Sequence, residues 1–170
     1  MMERIVRNYL DIKSLNELKH KKKLNDKYVV KKVSSEDFQL NKFFYKQIGK
    51  NHQWNDRLAW DDKKWINYVS NSSVFTFVLK DSEDIAGFFE LIYHKEKSEV
   101  EIAYFGLLKE YMDKKLGGYM LTEAIKISFS FHVKRVWVHT CSLDHKNALK
   151  NYLSRGMKIY NTETVSIKSA

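Results

Sequence analysis

The chain has 170 residues, 44% of them hydrophobic and 30% charged, which suits one domain with a buried core and excludes a disordered or fibrous protein. The formal charge of +9 rests on lysine, because only five of the 30 basic residues are arginine, so nucleic-acid binding ranks behind binding of a small anionic ligand. A single cysteine, Cys141, excludes an internal disulfide framework and a multi-cysteine metal centre, and no apolar run approaches the length of a membrane span.

With an amino terminus that lacks an apolar signal core, these features predict a protein of the reducing cytoplasm. No repeat or low-complexity linker divides the sequence, so residues 1–170 read as a single domain, with an amino-terminal extension over 1–25 and a core over 26–170. Residues 6–12 and 28–33 have strand character, and the polar, lysine-rich segment between them reads as helical, with a solvated run at residues 19–23. Ser34, Ser35, Glu36 and Asp37 form a helix start, a serine cap followed by carboxylates, and Leu40, Phe43, Phe44 and Ile48 then keep helical spacing up to Gly49. A second helix is expected over residues 56–69.

The period then changes. Residues 74–79, 85–93 and 99–105 read as three strands joined by hairpin-length turns, hence antiparallel. In the third of these, alternation puts Val100, Ile102 and Tyr104 on one face and Glu99, Glu101 and Ala103 on the other. Residues 116–131 carry the clearest helical stripe, through Leu116, Met120, Ala124, Ile127 and Phe131. A short buried-type strand follows at 136–140, then a helix capped by Asp144 and ended by Gly156, then one or two terminal strands. The order predicts a mixed α/β (α+β) fold with a mostly antiparallel twisted sheet and helices on both faces.

The chemistry concentrates between the third of those strands and the long helix. A helix amino terminus offers unpaired N–H donors and partial positive charge, which together attract an anion. Gly117 and Gly118 in the first turn would let a phosphate approach the backbone, and Lys114 and Lys115 add charge at the same place. Residues 100–157 resemble the Gcn5-related N-acetyltransferase (GNAT) superfamily, in which a loop of the form Arg/Gln-x-x-Gly-x-Gly/Ala leads into a helix. Here Met112 stands at the Arg/Gln position and Lys115 at the first glycine. More specific is the stretch Asn147-Ala148 … Tyr152 … Gly156-Met157, which resembles the family's Asn-Ala-x-x-x-Tyr-x-x-x-Gly-Phe. Residues 54–60 also resemble an amino-terminal element of one uncharacterised bacterial subgroup.

The resemblance implies acetyl transfer from acetyl-CoA to an amine without metal, in a ternary complex. It implies Tyr152 as proton donor to the CoA sulfur and Glu101 as base, with Glu99 on the same face and Glu90 on the neighbouring strand as alternatives and no base needed for a neutral amine. The backbone of Phe105, Gly106, Leu107 and Leu108 would pair with the thioester and pantetheine amides. Met112, Asp113, Lys114, Lys115, Leu116, Gly117 and Gly118 would cradle the diphosphate, and Asn147 would bind the pantetheine arm or its phosphate end. Trp54, Asp56, Arg57 and Glu90 are expected at the acceptor site, where aromatic walls and an acid suit an amine. His139 and Cys141 share a strand face with no third ligand at zinc spacing, so metal and covalent catalysis are set aside. The partners implied are CoA and an amine, with neither nucleic acid nor membrane, and a monomer or homodimer. The rival functions are a non-catalytic CoA or acyl-CoA sensor on the same fold and, more remotely, a basic nucleic-acid-binding protein.

Overall fold

The computed structural model describes residues 1–34 and 37–168. Seven strands form one sheet: β1 (Met2–Ile12), β2 (Tyr28–Lys32), β3 (Val74–Asp81), β4 (Asp84–His94), β5 (Glu99–Leu107), β6 (Arg135–Cys141) and β7 (Lys158–Lys168). Four α-helices are placed among the described residues: α1 (Phe38–Gly49), α2 (Asp62–Val69), α3 (Gly117–Phe129) and α4 (Ala148–Ser154). The strand order is β2-β3-β4-β5-β6-β1-β7, antiparallel except between β5 and β6, which makes the fold mixed α/β. The amino-terminal strand is internal: Tyr9 pairs with His139 of β6 on one side and with Asn161 of β7 on the other.

Two layers of helix bury the two sheet faces unequally. On one face α3 presents Met120, Leu121, Ala124 and Ile125, all fully buried with Leu10, Val100, Ile102, Val136 and Val138. Each such large side chain removed from water contributes about 1.5–3 kcal/mol. The helical stripe is thus centred one position away from the expected one, and Ile127 and Phe131 lie at its half-buried margin. On the other face α1 stacks Phe44 on Phe88 of β4, with ring centroids 4.8 Å apart, and covers the β3–β4 side and the Tyr104–Gly106 end of β5.

Local boundaries differ from expectation for identifiable reasons. Residues 13–27 form no α-helix, only a one-turn 3-10 helix at Leu15–Glu17 and a turn at residues 26–27. Instead of a helical ladder their backbone docks outward: the Lys19 N–H donates to the Arg155 carbonyl at 2.9 Å and the Lys21 N–H to Thr122 Oγ1 at 3.0 Å. The cap of α1 is Asp37, whose side chain accepts from the Leu40 N–H at 3.4 Å. Ser35 and Glu36 of the expected helix start lie outside the described residues. Helix α2 begins at residue 62 because Asp61 caps it, accepting from the Lys64 N–H at 2.8 Å, and residues 56–59 make turns instead.

Asp144 does not cap α4, which starts after Asn147. Its carboxylate accepts from Thr140 Oγ1 at 2.6 Å and from the Cys141 N–H at 3.0 Å, tying off the end of β6. Gly156 follows α4 at φ +101°, where a β-carbon would meet the Glu17 carbonyl oxygen. Among the described residues the chain then ends in one strand, β7.

The strand β5 breaks its own alternation. Leu91 pairs with Ile102 but Glu90 pairs with Tyr104, so Ala103 is an extra residue, a β-bulge. Val100 and Ile102 face α3, as alternation predicts. Beyond the bulge the parity is reversed, and Tyr104 turns toward α1 while Phe105 and Leu107 join the α3 side. Tyr104 was expected with Val100 and Ile102; the inserted residue moves it to the face that carries Glu101.

Candidate functional site

Strands β5 and β6 run in parallel register only for Glu99↔Arg135, Val100↔Val136 and Glu101↔Trp137. Past that point β5 stays with β4, from Tyr104 opposite Glu90 to Leu107 opposite Gly87, while β6 stays with β1 out to Cys141 opposite Arg7. Each strand keeps its outer neighbour, so the sheet parts between them. The bulge at Ala103 sits where the parting starts. The gap opens into a cavity of about 790 Å³, within the size range of small-molecule sites.

One end of this cavity is rich in backbone donors. The loop before α3 has positive φ at Asp113 (+60°) and Lys115 (+61°), and Leu116 then returns to right-handed geometry, an alternation that turns successive N–H groups to one side. Leu116 caps α3 without a side-chain hydrogen bond. The backbone N–H groups from Asp113 to Tyr119 have no acceptor among the described residues. Helix α4 lies beside them: Asn151 Nδ2 donates to the Gly117 carbonyl at 3.1 Å.

The paired glycines are also closely approached by protein side chains. A β-carbon at Gly117 would stand 3.3 Å from Asn151 Nδ2, and one at Gly118 would stand 2.5 Å from Arg155 Nη1 and 3.0 Å from Lys21 Cγ. They make room for side chains from α4 and from the β1–β2 connection. Gly106 likewise admits Ile48 of α1, since its β-carbon would come within 2.7 Å of Ile48 Cγ2, and the irregularity of β5 belongs to Ala103.

Most of the residues expected to hold the cofactor reach the cavity. Phe105, Gly106, Leu107, Met112, Asp113, Lys115, Leu116, Gly117, Gly118 and Asn147 line it. Leu108 and Lys114 do not. The Leu108 N–H bonds to the Ala86 carbonyl at 2.8 Å and its side chain packs on the Phe44 cluster, while the Lys114 ammonium lies over the Tyr111 ring at 5.2 Å.

Tyr152 and Glu101 enter the cavity from opposite faces of the sheet. Tyr152 is buried on the α3 side against Phe105, with ring centroids 6.2 Å apart, and its hydroxyl has no hydrogen-bond partner among the described residues. Burial, reinforced by the Asp144 charge, pushes its phenol well above the ordinary value, so the group keeps its proton. Glu101 projects from the other face, next to Trp137, and its Oε2 lies 3.0 Å from His94 Nε2. Burial raises the Cys141 thiol, and among the described residues no group of three ligating side chains is placed to hold a metal.

The residues expected at the acceptor site divide. Trp54, Asp56 and Arg57 line the cavity from the α1–α2 connection, whereas Glu90 lies outside its lining at 0% exposure. Glu90 accepts from Arg57 Nη1 at 2.9 and 3.2 Å, Asn41 Nδ2 at 2.9 Å and Tyr68 Oη at 2.8 Å. Arg57 in turn is ringed by Tyr68, Tyr104, Trp60, Trp65 and Tyr45 at 4.0–5.7 Å from guanidinium carbon to centroid. That aromatic surround encloses the chain's own cation. The same connection crosses the gap, with His52 Nδ1 3.0 Å from the Leu143 carbonyl and Trp54 Nε1 donating to Asp144 at 3.5 Å.

Arg7, Lys21, Asn151 and Arg155 are polar cavity residues that the sequence motifs do not point to. Asn147, Asn151 and Arg155 recur at helical spacing, a polar stripe that was legible but was overshadowed by Tyr152. Arg7 and Lys21 reach the site only through the internal placement of β1, which no local pattern announces.

The family profile described as the acetyltransferase (GNAT) family matches residues 35–157. The chain belongs to that family. No curated protein matches the GNAT chain in sequence. Solved structures share its fold at low identity. A functionally unknown conserved protein from Staphylococcus epidermidis ATCC 12228 is 16% identical with a TM-score of 0.64, covering 96% of this chain and 61% of that one. An aminoglycoside acetyltransferase from an uncultured soil metagenomic sample, solved with trehalose, is 14% identical with a TM-score of 0.64, covering 78% and 90%. A spermidine N-acetyltransferase from Vibrio cholerae, solved with CoA and spermine, is 14% identical with a TM-score of 0.63, covering 78% and 81%. The present chain thus spans 61% of the Staphylococcus protein's length. No helix among the described residues is long and apolar enough to cross a membrane.

Proposed function

We propose that this GNAT chain moves an acetyl group from acetyl-CoA to a primary amine, on a small molecule or a protein, by direct transfer with both substrates bound in the cytoplasm. The observation that supports this most is the continuity of one cavity from the donor-rich start of α3, along the free edge of β5, to Tyr152 and Glu101. The residues fit the carrier: unpaired N–H groups and a buried guanidinium suit a diphosphate, and a strand edge without a partner suits an amide-bearing arm. When bound, acetyl-CoA supplies an activated acyl thioester.

The chain's own groups then have separate tasks. The N–H groups of residues 113–119 hold the diphosphate, and Phe105 to Leu107 with Asn147 hold the arm. Tyr152 keeps its proton at Oη and delivers it to the departing sulfur. Glu101, with Oε2 held by His94, accepts a proton from the amine. Trp54 and Asp56 wall the acceptor's approach.

The test is CoA release with a panel of amines, including a polyamine and an aminoglycoside, the acceptor classes named for two structural neighbours. Turnover with at least one amine, reduced in Tyr152→Phe, supports the reading. CoA affinity without turnover on any amine would overturn it in favour of a CoA-binding sensor.

A further inference from the structure

Arg155 is a partly buried cation with unpaired donors. It is the C-cap of α4, and its Nε and Nη1 are buried without a hydrogen-bond partner among the described residues. A guanidinium deprived of both water and an acceptor is unfavourable, so such a group calls for an occupant. Among the described residues no carboxylate pairs with it, and burial draws its pKa downward. By contrast Arg57 and Arg135, also partly or fully enclosed, each have carboxylate partners, Glu90 for one and Glu99 and Asp11 for the other.

Its position is set from three sides. The Arg155 carbonyl accepts from the Lys19 N–H at 2.9 Å, which fixes the end of α4. Asn151, one helical turn earlier, is anchored to the Gly117 carbonyl. Gly118 lacks the β-carbon that would strike Nη1. The side chain therefore lies across the start of α3, at the wall of the cavity beside the unpaired N–H groups of residues 113–119. Lys21 lines the same wall, with its stem close to Gly118.

We propose that Arg155, with Lys21 beside it, is the cation that receives the diphosphate of the acyl carrier at the start of α3, and that Gly118 is glycine in order to seat it. The inference rests on the acetyl-CoA reading above. Phosphate oxygens would meet the empty donors of the guanidinium together with the backbone N–H groups, in charge-assisted bonds that a lysine reproduces only in part. Arg155 is a binding residue and takes no part in proton transfer.

The test compares binding of CoA with binding of pantetheine, which lacks the diphosphate and the nucleotide, by calorimetry on wild type, Arg155→Ala, Arg155→Lys and Gly118→Ala. The expected result is a loss of CoA affinity of about 10- to 100-fold in Arg155→Ala, partial recovery in Arg155→Lys, and unchanged pantetheine affinity. Gly118→Ala should weaken CoA in wild type and add little in the Arg155→Ala background. The thermal midpoint without ligand should hold or rise in Arg155→Ala, because an uncompensated buried charge is removed; a purely structural arginine would lower it. CoA affinity within twofold of wild type in Arg155→Ala overturns the inference and leaves the acetyl-CoA reading standing. A wild-type protein that does not bind CoA overturns both.

Discussion

Arg57 Nη1 reaches both carboxylate oxygens of Glu90, at 2.9 and 3.2 Å, with the two residues 6% and 0% exposed. Burial disfavours the charged guanidinium, but the Glu90 charge outweighs this and raises the Arg57 pKa, so the guanidinium keeps its charge. It joins α1 through Asn41, the α1–α2 connection through Arg57 itself, and α2 through Tyr68 to the sheet.

Breaking this pair on one side strands the other charge. Glu90→Leu is expected to destabilise the fold by about 3–5 kcal/mol, read as a shift in the urea midpoint at constant slope. Adding Arg57→Met should restore most of the loss, since replacing both members of a buried pair with apolar groups is commonly neutral. A double variant no more stable than the single one would refute this account.

Tyr152→Phe is expected to lower kcat about 10- to 100-fold with CoA affinity unchanged. The pH dependence follows from the raised phenol. An acid whose pKa lies above its ordinary value stays protonated past pH 10, so the wild-type rate should rise as the acceptor amine loses its proton and show no fall before pH 10. A decline between pH 8 and 10 that vanishes in Tyr152→Phe would contradict it.

Glu101→Gln tests the proposed proton acceptor on the other face. The rate should drop by about 10²-fold at a pH where the acceptor amine is largely protonated, and the gap to wild type should narrow above the amine's own pKa. A uniform loss across the whole pH range would assign Glu101 to binding instead of proton removal.

Gly156→Ala should cost more than about 1 kcal/mol, through both a left-handed φ of +101° and collision with the Glu17 carbonyl. Thermal melting checks this, and an unchanged midpoint would show that the 13–27 segment moves aside freely.

What the amino-acid order reveals depends on how local the cause is. The hairpins at 81–84 and 94–98, the α3 stripe and the glycine ending α4 are short-range patterns, and each is visible in the sequence. The family motif around Asn147, Tyr152 and Gly156 located one wall of the cavity for the same reason. The bulge at Ala103 has no local signature, because it follows from how β4 and β5 pair, and it alone moves Tyr104 across the sheet. Asp144 reads as a helix cap because it precedes α4, yet Thr140, Cys141 and Trp54 claim its carboxylate. Arg155 and Lys21 come together through contacts more than 100 residues apart, such as the Lys21 N–H on Thr122 Oγ1, and composition is silent on those.

The placement of β1 orders events during synthesis. Strand β1 is flanked by β6 and β7, with Met2 opposite Lys168, so both of its neighbours are made long after it. Such distant pairings are slow to form and leave an unpaired edge waiting in the nascent chain. Strand β7 therefore acts as the latch of the sheet, and until it pairs, Tyr9 and its neighbours stay open to other nascent strands, which favours aggregation over repair.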